Sequence, residues 1–221
     1  MNRKESSGAF LCPSAHPEMP NSRIFGVIGG TLEEPRLSYL DETAPVTDEI
    51  LALAGPVKPI EEITPAEWDR VVAVHLRGSY LLTRLALPGM YARGSGAILN
   101  ISSLSAKSAF GWGSPYASAK AGMLGMTRVV AAEAARKGVR VNAICPGPVT
   151  ETKMSKDLGQ TLAERLGVSK EDQLKGFLNT ILQGRGQMAN EIAAAALFLC
   201  SDAASAITGQ ALNVDGGAAF Y

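Results

Sequence analysis

The chain has few cysteines and histidines, and this scarcity excludes several kinds of site. Its three cysteines form no C-x-x-C pair and are odd in number, so we predict reduced thiols in a cytoplasmic protein rather than a disulfide framework. Its two histidines, His16 and His75, belong to no cluster with metal-ligand spacing. We therefore predict no metal site.

The chain also lacks an excess of charge and a long hydrophobic run. Basic and acidic side chains number 21 each, which gives no electrostatic reason to expect a nucleic acid or a membrane as partner. No apolar run is long enough to span a bilayer, and the first residues are too polar and too broken by proline for a signal peptide. Because 46% of the 221 residues are hydrophobic, the chain can bury one sizeable core, and we predict a single soluble domain.

The most informative stretch, residues 100–120, follows a predicted strand. Residues 97–101 are apolar and partly β-branched and lead into serines, which is typical of a buried strand that reaches the edge of a sheet. Ser103 would then lie at the carboxyl end of that strand, where open α/β sheets bind ligands. Ser114 and Pro115 predict an N-cap and the first position of a helix. On that helix Tyr116 and Lys120 share one face.

These side chains indicate proton chemistry at an oxygen. A tyrosine with its ordinary pKa near 10 is a poor acid or base at neutral pH. A neighbouring ammonium stabilises the phenolate, so we predict that Lys120 lowers the pKa of Tyr116 and prepares it as a general acid/base. Ser103 could hydrogen-bond the substrate oxygen that Tyr116 protonates or deprotonates. The three side chains together indicate interconversion of a carbonyl and an alcohol. A single Tyr-x-x-x-Lys match also arises by chance, so this interpretation depends on the motifs around it.

Four segments together resemble the short-chain dehydrogenase/reductase family of the classical type. They are Asn100-Ile-Ser-Ser103, Tyr116-Ala-Ser-Ala-Lys120, Val141-Asn-Ala-Ile-Cys-Pro-Gly147 and Ile207-Thr-Gly-Gln-Ala-Leu-Asn-Val-Asp-Gly-Gly217. The resemblance runs from about residue 48 to the C-terminus. It implies an α/β fold with a doubly wound parallel sheet, Rossmann-like and three-layered, and it implies NAD or NADP as cofactor.

The resemblance also assigns catalytic roles. Tyr116 would be the acid/base, Lys120 would lower its pKa and hold the nicotinamide ribose, and Ser103 would orient the substrate oxygen. His75 occupies the position of a family asparagine that holds a water in a proton relay to the lysine. Histidine can also donate or accept one hydrogen bond, although a lone histidine on a helix is as readily structural.

Other residues are assigned to the cofactor. Besides Tyr116 and Lys120, they are Gly55, Pro146, Gly147, Val149 and Thr150. A proline-glycine turn at the end of a strand can aim backbone groups at a nicotinamide carboxamide, and Gly55 would let the backbone pass close to the cofactor. The family's spacing for a threonine falls on Glu151, so Thr150 or Thr152 would have to take its place.

The first 47 residues depart from the family. Residues 1–21 are rich in Ser, Pro and Gly and predict irregular structure, and residues 24–30 are the only candidate for a first strand. Gly26, Gly29 and Gly30 lack the spacing of a phosphate-binding turn at a helix N-terminus, and too few residues follow for the roughly 30 of a βαβ unit. We therefore predict one domain with an atypical segment (1–47), a catalytic region (48–221) and an incomplete N-terminal βαβ portion.

Two further regions bear on partners. Thr64-Pro-Ala-Glu67 predicts a capping box that begins a helix extending to about Tyr91, with a kink at Pro88. Its apolar positions are Trp68, Val71, Val72, Leu76, Tyr80 and Leu85. In the family this helix packs on a second copy, so we predict a homo-oligomer, dimer or tetramer, unless the face is buried within the monomer. Residues 153–182 resemble the mobile loop that covers the substrate.

Three functions remain after these observations. The leading one is hydride transfer between a nicotinamide cofactor and a small alcohol or carbonyl substrate. Because the glycine-rich turn is missing, a non-catalytic interaction domain with impaired cofactor binding is the second. An epimerase or dehydratase on the same fold, which also uses Tyr-x-x-x-Lys with bound NAD, is the third.

Overall fold

The computed structural model describes residues 9–12, 25–26, 55–108 and 111–220. In chain order the elements are β1 (Ala9–Cys12), β2 (Phe25–Gly26), α1 (Pro65–Val72), α2 (Gly78–Arg93), β3 (Gly96–Ile101), α3 (Ser114–Ala134), β4 (Val139–Pro146), α4 (Lys153–Leu166), α5 (Lys170–Leu178), α6 (Ala189–Cys200) and β5 (Ala211–Val214). Within these described ranges, no helix combines the length and the apolar character needed to cross a membrane.

The five strands form one sheet in the order β2-β1-β3-β4-β5. β3, β4 and β5 are parallel, with Ile98 opposite Val141 and Ile144 opposite Leu212. The predicted strand at residues 97–101 is confirmed as β3, and the predicted parallel sheet is confirmed for these three strands. β1 pairs with β3 in the antiparallel direction, and β2 pairs with β1 in the same way.

The N-terminal strands differ from the sequence-based expectation. Irregular structure was expected for residues 1–21, but Ala9–Cys12 pairs with β3 along its length, so the expectation is wrong for those residues. β2 falls within the predicted strand at 24–30. Because β1 is antiparallel to β3, the pairing needs no crossover helix, whereas a parallel strand needs a dozen or more connecting residues. Residues 27–30 of that candidate strand and residues 48–54 of the catalytic region lie outside the described residues.

Helices cover both faces of the sheet because successive strand side chains point in opposite directions. Ile98 packs with Met90 of α2 and Ala131 of α3 on one face. Its neighbour Leu99 packs with Leu199 of α6 on the other. A strand buried on both faces needs a near-continuous apolar sequence, which is the pattern from which β3 was predicted. The structure is therefore the doubly wound, three-layer arrangement that the sequence implied.

A π-helical turn, Ala73–Arg77, joins α1 to α2. The predicted capping box is present, since the Thr64 N–H donates to Glu67 Oε2 at 2.9 Å and the Glu67 N–H donates to Thr64 Oγ1 at 3.3 Å. The helical path then continues past Pro88 and ends at Arg93. Both ends of the predicted helix are confirmed, but its interior contains a turn that the sequence did not predict.

Candidate active site

The three parallel strands end at one edge of the sheet, and the predicted site residues follow them there. Ser103 comes shortly after β3, Gly147 directly after β4, and Asp215 directly after β5. In open α/β sheets this edge is where ligands bind. α3 carries Tyr116 and Lys120 and begins at Ser114 with Gly113 as its N-cap, so the prediction of Ser114 as N-cap is wrong by one residue.

Ser103 lies beside the Tyr116 hydroxyl, where its own hydroxyl favours the phenolate. Ser103 precedes the 3₁₀ turn Leu104–Ala106, and its Oγ accepts from the Ser105 N–H at 3.1 Å. A hydroxyl can accept and donate at the same time. The turn therefore fixes the Ser103 oxygen while leaving its proton for the phenol.

Lys120 is buried beside Tyr116, with 1% of its surface exposed. Its Nζ donates to the Ile101 carbonyl oxygen at 2.9 Å and lies 5.5 Å from the centroid of the Tyr116 ring. Ser102 Oγ donates to the Lys120 carbonyl oxygen at 2.9 Å, so the end of β3 holds both the backbone and the side chain of the lysine. Burial, which disfavours the charged form, lowers the pKa of Lys120 to about 7.

The pKa of Tyr116 moves in the direction opposite to the sequence prediction. Although the side chain as a whole is half-buried, loss of water around its hydroxyl raises the pKa above its ordinary value, and the neighbouring Ser103 side chain, which favours the phenolate, offsets this only in part. Lys120 has itself lost much of its charge near neutral pH, so it stabilises a phenolate weakly. The predicted lowering of the Tyr116 pKa is therefore wrong for this structure.

His75 lies in the π-helical turn and faces Tyr116. The two rings are nearly perpendicular, with 5.2 Å between their centroids and 89° between their planes, and His75 is 2% exposed. Gly122 of α3 permits this approach, because a Cβ there would lie 2.8 Å from Leu76 Cδ2 in the turn. π-helical turns are common at functional sites. The structure therefore gathers Ser103, Tyr116, Lys120 and His75 into one cluster.

The two glycines assigned to the cofactor also have structural roles. A Cβ on Gly147 would lie 2.3 Å from Gln187 Oε1 and 2.8 Å from Asp215 Cα. Gly55 has φ +77°, and a Cβ there would lie 2.8 Å from Val71 Cγ2. Packing alone therefore requires glycine at both positions, whether or not a cofactor passes close to them.

The structure distinguishes the two candidate threonines. The Thr152 hydroxyl donates to the Val149 carbonyl oxygen at 2.9 Å and caps the first turn of α4. Glu151, on which the family spacing falls, accepts from the Ala189 N–H at 3.0 Å. Both side chains therefore serve the local fold, and Thr150 remains the candidate for a cofactor contact.

Sequence reasoning missed Lys107, which fastens the loop between Ser103 and Tyr116 to β5. Its Nζ donates to the Ala211 carbonyl oxygen at 2.7 Å and to Asn213 Oδ1 at 2.6 Å. The only sign of this role in the sequence is the position of Lys107 between the site residues Ser103 and Tyr116. Its acceptors are 104 and 106 positions away in the chain, which local spacing does not reveal.

The described residues fit the nicotinamide half of a dinucleotide. An ammonium has three donors, and Lys120 gives one of them to Ile101, so others remain for ribose hydroxyls. Gly29 and Gly30, which lack the spacing of a phosphate-binding turn, lie outside the described ranges. In the part of the chain that the structure describes, no three His, Cys, Asp or Glu side chains gather as candidate metal ligands.

A doubly wound sheet with serine, tyrosine and lysine at its carboxyl edge defines a class of Rossmann-like proteins. The chain belongs to the short-chain dehydrogenase/reductase family, since the family model described as enoyl-(acyl carrier protein) reductase matches residues 47–219.

Individual relatives agree with this assignment. D-beta-hydroxybutyrate dehydrogenase of Cupriavidus necator is 39% identical over 163 residues, which cover 73% of this chain and 62% of the relative. Sorbitol-6-phosphate 2-dehydrogenase from Erwinia amylovora superposes with a TM-score of 0.73 at 29% identity, over 76% of this chain and 66% of that one. A variant of actinorhodin polyketide ketoreductase, solved with NADPH, superposes with a TM-score of 0.70 at 34% identity. The match covers 75% of this chain and 66% of the ketoreductase chain. The chain therefore spans less than two thirds of the hydroxybutyrate dehydrogenase that it matches.

Proposed function

We propose that the protein transfers a hydride between a nicotinamide cofactor, NAD or NADP, and a small alcohol or carbonyl substrate. The observation that carries this proposal is the cluster at the carboxyl edge of the sheet, in which Lys120 and His75 lie against the Tyr116 ring. Ser103 lies beside the hydroxyl of the same ring. Family membership supports it, as do the dehydrogenases and the ketoreductase among the relatives.

The protein's own side chains would handle the proton. A bound nicotinamide supplies or accepts the hydride. Because burial raises the pKa of Tyr116, the phenol keeps its proton at neutral pH and is set to donate it to a carbonyl oxygen. Ser103, beside the phenol, would turn its single hydroxyl proton to the same oxygen and hold it in line. In the oxidative direction Tyr116 must lose its proton, and the cationic form of Lys120 would favour that loss.

The cofactor would be held along the carboxyl edge of the sheet. Lys120 would bind the nicotinamide ribose, and the turn after β4 would face the nicotinamide. The residues of this turn in the proposal are Pro146, Gly147, Val149 and Thr150. Gly55 would let the backbone pass close to the cofactor.

An interaction domain without catalysis is less well supported. Burying a lysine and a tyrosine hydroxyl costs stability, and a protein that only self-associates has no need of that cost. We also propose a cytoplasmic homo-oligomer. Tyr80 and Leu85 of α2 and Val129 of α3 are 49%, 41% and 59% exposed in the single chain, and this apolar surface would be covered by a second copy.

The proposal is tested by titrating the purified full chain with NADH and NADPH and following nicotinamide fluorescence. We expect saturable binding of at least one nucleotide, weakened about tenfold or more by Lys120→Ala because the ribose contact is lost. Lys137→Ala serves as the control, since Lys137 lies against the Tyr91 ring rather than in the cluster. A folded protein that binds neither nucleotide would contradict the proposal and leave the interaction domain as the better explanation.

His75 offers a test of the proton relay. His75→Asn retains a hydrogen-bonding side chain and is expected to keep kcat/KM within about tenfold, whereas His75→Leu is expected to lower it about 100-fold. The two variants separate relay from packing, because asparagine can still hold a water by hydrogen bonds and leucine cannot. If both variants have the same kcat and the wild-type pH profile, with circular dichroism showing intact folds, His75 is only structural.

A further inference from the structure

An apolar cavity of about 460 Å³ lies between the turn that precedes α3 and the helices α4 and α5. Its large apolar side chains are Trp112, Leu162, Leu166, Val168 and Phe177. Leu166 and Val168 are 55% and 45% exposed. Exposed apolar side chains around a concave surface mark a binding site rather than a packed core.

Trp112 lines this cavity and lies close in sequence to the active site. It precedes Tyr116 by four residues, and its φ of 66° lies in the left-handed region, which is unusual for a bulky residue. Its carbonyl oxygen accepts from the Lys58 N–H at 3.0 Å, and the Arg165 guanidinium lies 5.8 Å from its ring centroid. Such backbone conformations persist where the surroundings hold them, and they cluster at ligand-binding sites. The indole is thereby held at the cavity wall, close along the chain to the phenol that would transfer the proton.

The polar part of the lining indicates which ligands the cavity excludes. Among the described lining residues, Asp172 and Gln173 are the polar side chains, and none is basic. Arg165 stacks on Trp112 but does not belong to the lining, so a carboxylate or phosphate inside the cavity would lie beside Asp172 without a cation among the lining side chains. A polyol would leave most of its hydroxyl groups without partners. A neutral apolar group fits this lining best.

We propose that the cavity binds the apolar tail of the substrate, so that the protein acts on neutral ketones or secondary alcohols with an alkyl or aryl group rather than on hydroxy acids or sugars. The volume falls within the roughly 300–1,000 Å³ typical of small-molecule sites. This inference rests on the proposed function, because it assigns the substrate class of that same site.

Gly176 of α5 provides a way to fill the cavity. It belongs to the lining, and a Cβ at this position would meet no atom within 4 Å. Gly176→Leu therefore places a side chain in open space and replaces glycine with a better helix former. Lys175→Leu adds the same side chain at the neighbouring, exposed position outside the lining and is the matched control.

The activity test compares kcat/KM for 2-butanone, 2-hexanone, 2-octanone and acetoacetate with the preferred reduced nucleotide. We expect an increase of about threefold for each added methylene and little reduction of acetoacetate. Gly176→Leu is expected to lower the value for 2-octanone about tenfold or more while leaving 2-butanone unchanged, and Lys175→Leu should change neither. Equal rates along the series, or acetoacetate as the best substrate, would overturn the inference.

A binding test separates this inference from the proposed function. Trp68 and Trp112 are the two tryptophans, so Trp68→Phe leaves Trp112 as the only indole reporter. We expect the Trp112 fluorescence to change saturably with 2-octanone but not with 2-butanone at the same concentration. Gly176→Leu should abolish the change. Binding without reduction of any ketone would overturn the proposed function alone. Reduction of 2-butanone without 2-octanone binding would overturn the inference alone, and absence of both would overturn both.

Discussion

Replacing Tyr116 with phenylalanine is expected to lower kcat/KM about 10³-fold with any carbonyl substrate that the protein reduces. Ring packing against His75 would survive, since the ring centroids are 5.2 Å apart and only the hydroxyl is removed. Loss of the hydroxyl removes the proton donor and the partner of Ser103. Steady-state kinetics with both nucleotides measures the effect.

Tyr91→Phe is the matched control for this substitution. Tyr91 packs against the core formed by α2 and α3, with Lys137 Nζ 4.1 Å from its ring centroid. Its phenol is remote from the cluster in the sequence and in the fold, so kcat/KM should be unchanged. A Tyr116→Phe protein that keeps more than about a tenth of the wild-type kcat/KM would contradict the assignment of Tyr116 as the acid/base.

Replacing Lys120 with methionine is expected to abolish activity and to change how stability depends on pH. In the unfolded chain a lysine has a pKa near 10.4, whereas burial lowers the pKa of Lys120 to about 7 in the fold. Between these values the unfolded chain binds more protons, so the free energy of unfolding of the wild type rises with pH. The rise should be on the order of 2 kcal/mol between pH 7 and 8.5.

Urea denaturation at pH 6.5, 7.5 and 8.5 measures this dependence. Lys120→Met should remove most of the rise, and Lys156→Met, at an exposed position of α4, should preserve it. Burial also raises the pKa values of Cys145 and Tyr116, which would lower stability at more alkaline pH, so the comparison stays below pH 9. Equal pH dependence in the wild type and Lys120→Met would mean that Lys120 remains charged in the fold.

Local sequence patterns were sufficient to predict strand β3 and to place Tyr116 and Lys120 together. β3 could be predicted because a strand buried on both faces needs a continuous apolar run, and such a run is visible in sequence. Tyr116 and Lys120 could be placed on one face because a helix brings residues four apart together. The domain division and the cofactor contacts remain predictions.

Features that depend on distant contacts could not be predicted. The pKa of Tyr116 depends on the desolvation of both Tyr116 and Lys120 as well as on the nearby ammonium, and desolvation depends on the whole surrounding structure. The contacts of Lys107 and the pairing of Ala9–Cys12 with β3 join parts of the chain far apart in sequence. The π-helical turn was missed because an apolar spacing of three and four residues does not distinguish it from an α-helix.

The π-helical turn also determines the phase of the long helical segment. The buried residues Val71, His75, Ser79 and Thr83, each at most 4% exposed, recur every fourth residue. An α-helix of 3.6 residues per turn would rotate such a series steadily away from the core, and the wider turn delays that drift. The same phase turns Tyr80 and Leu85 outward, so one irregular turn decides both which side chain meets the phenol and which apolar side chains the helix presents to its surroundings.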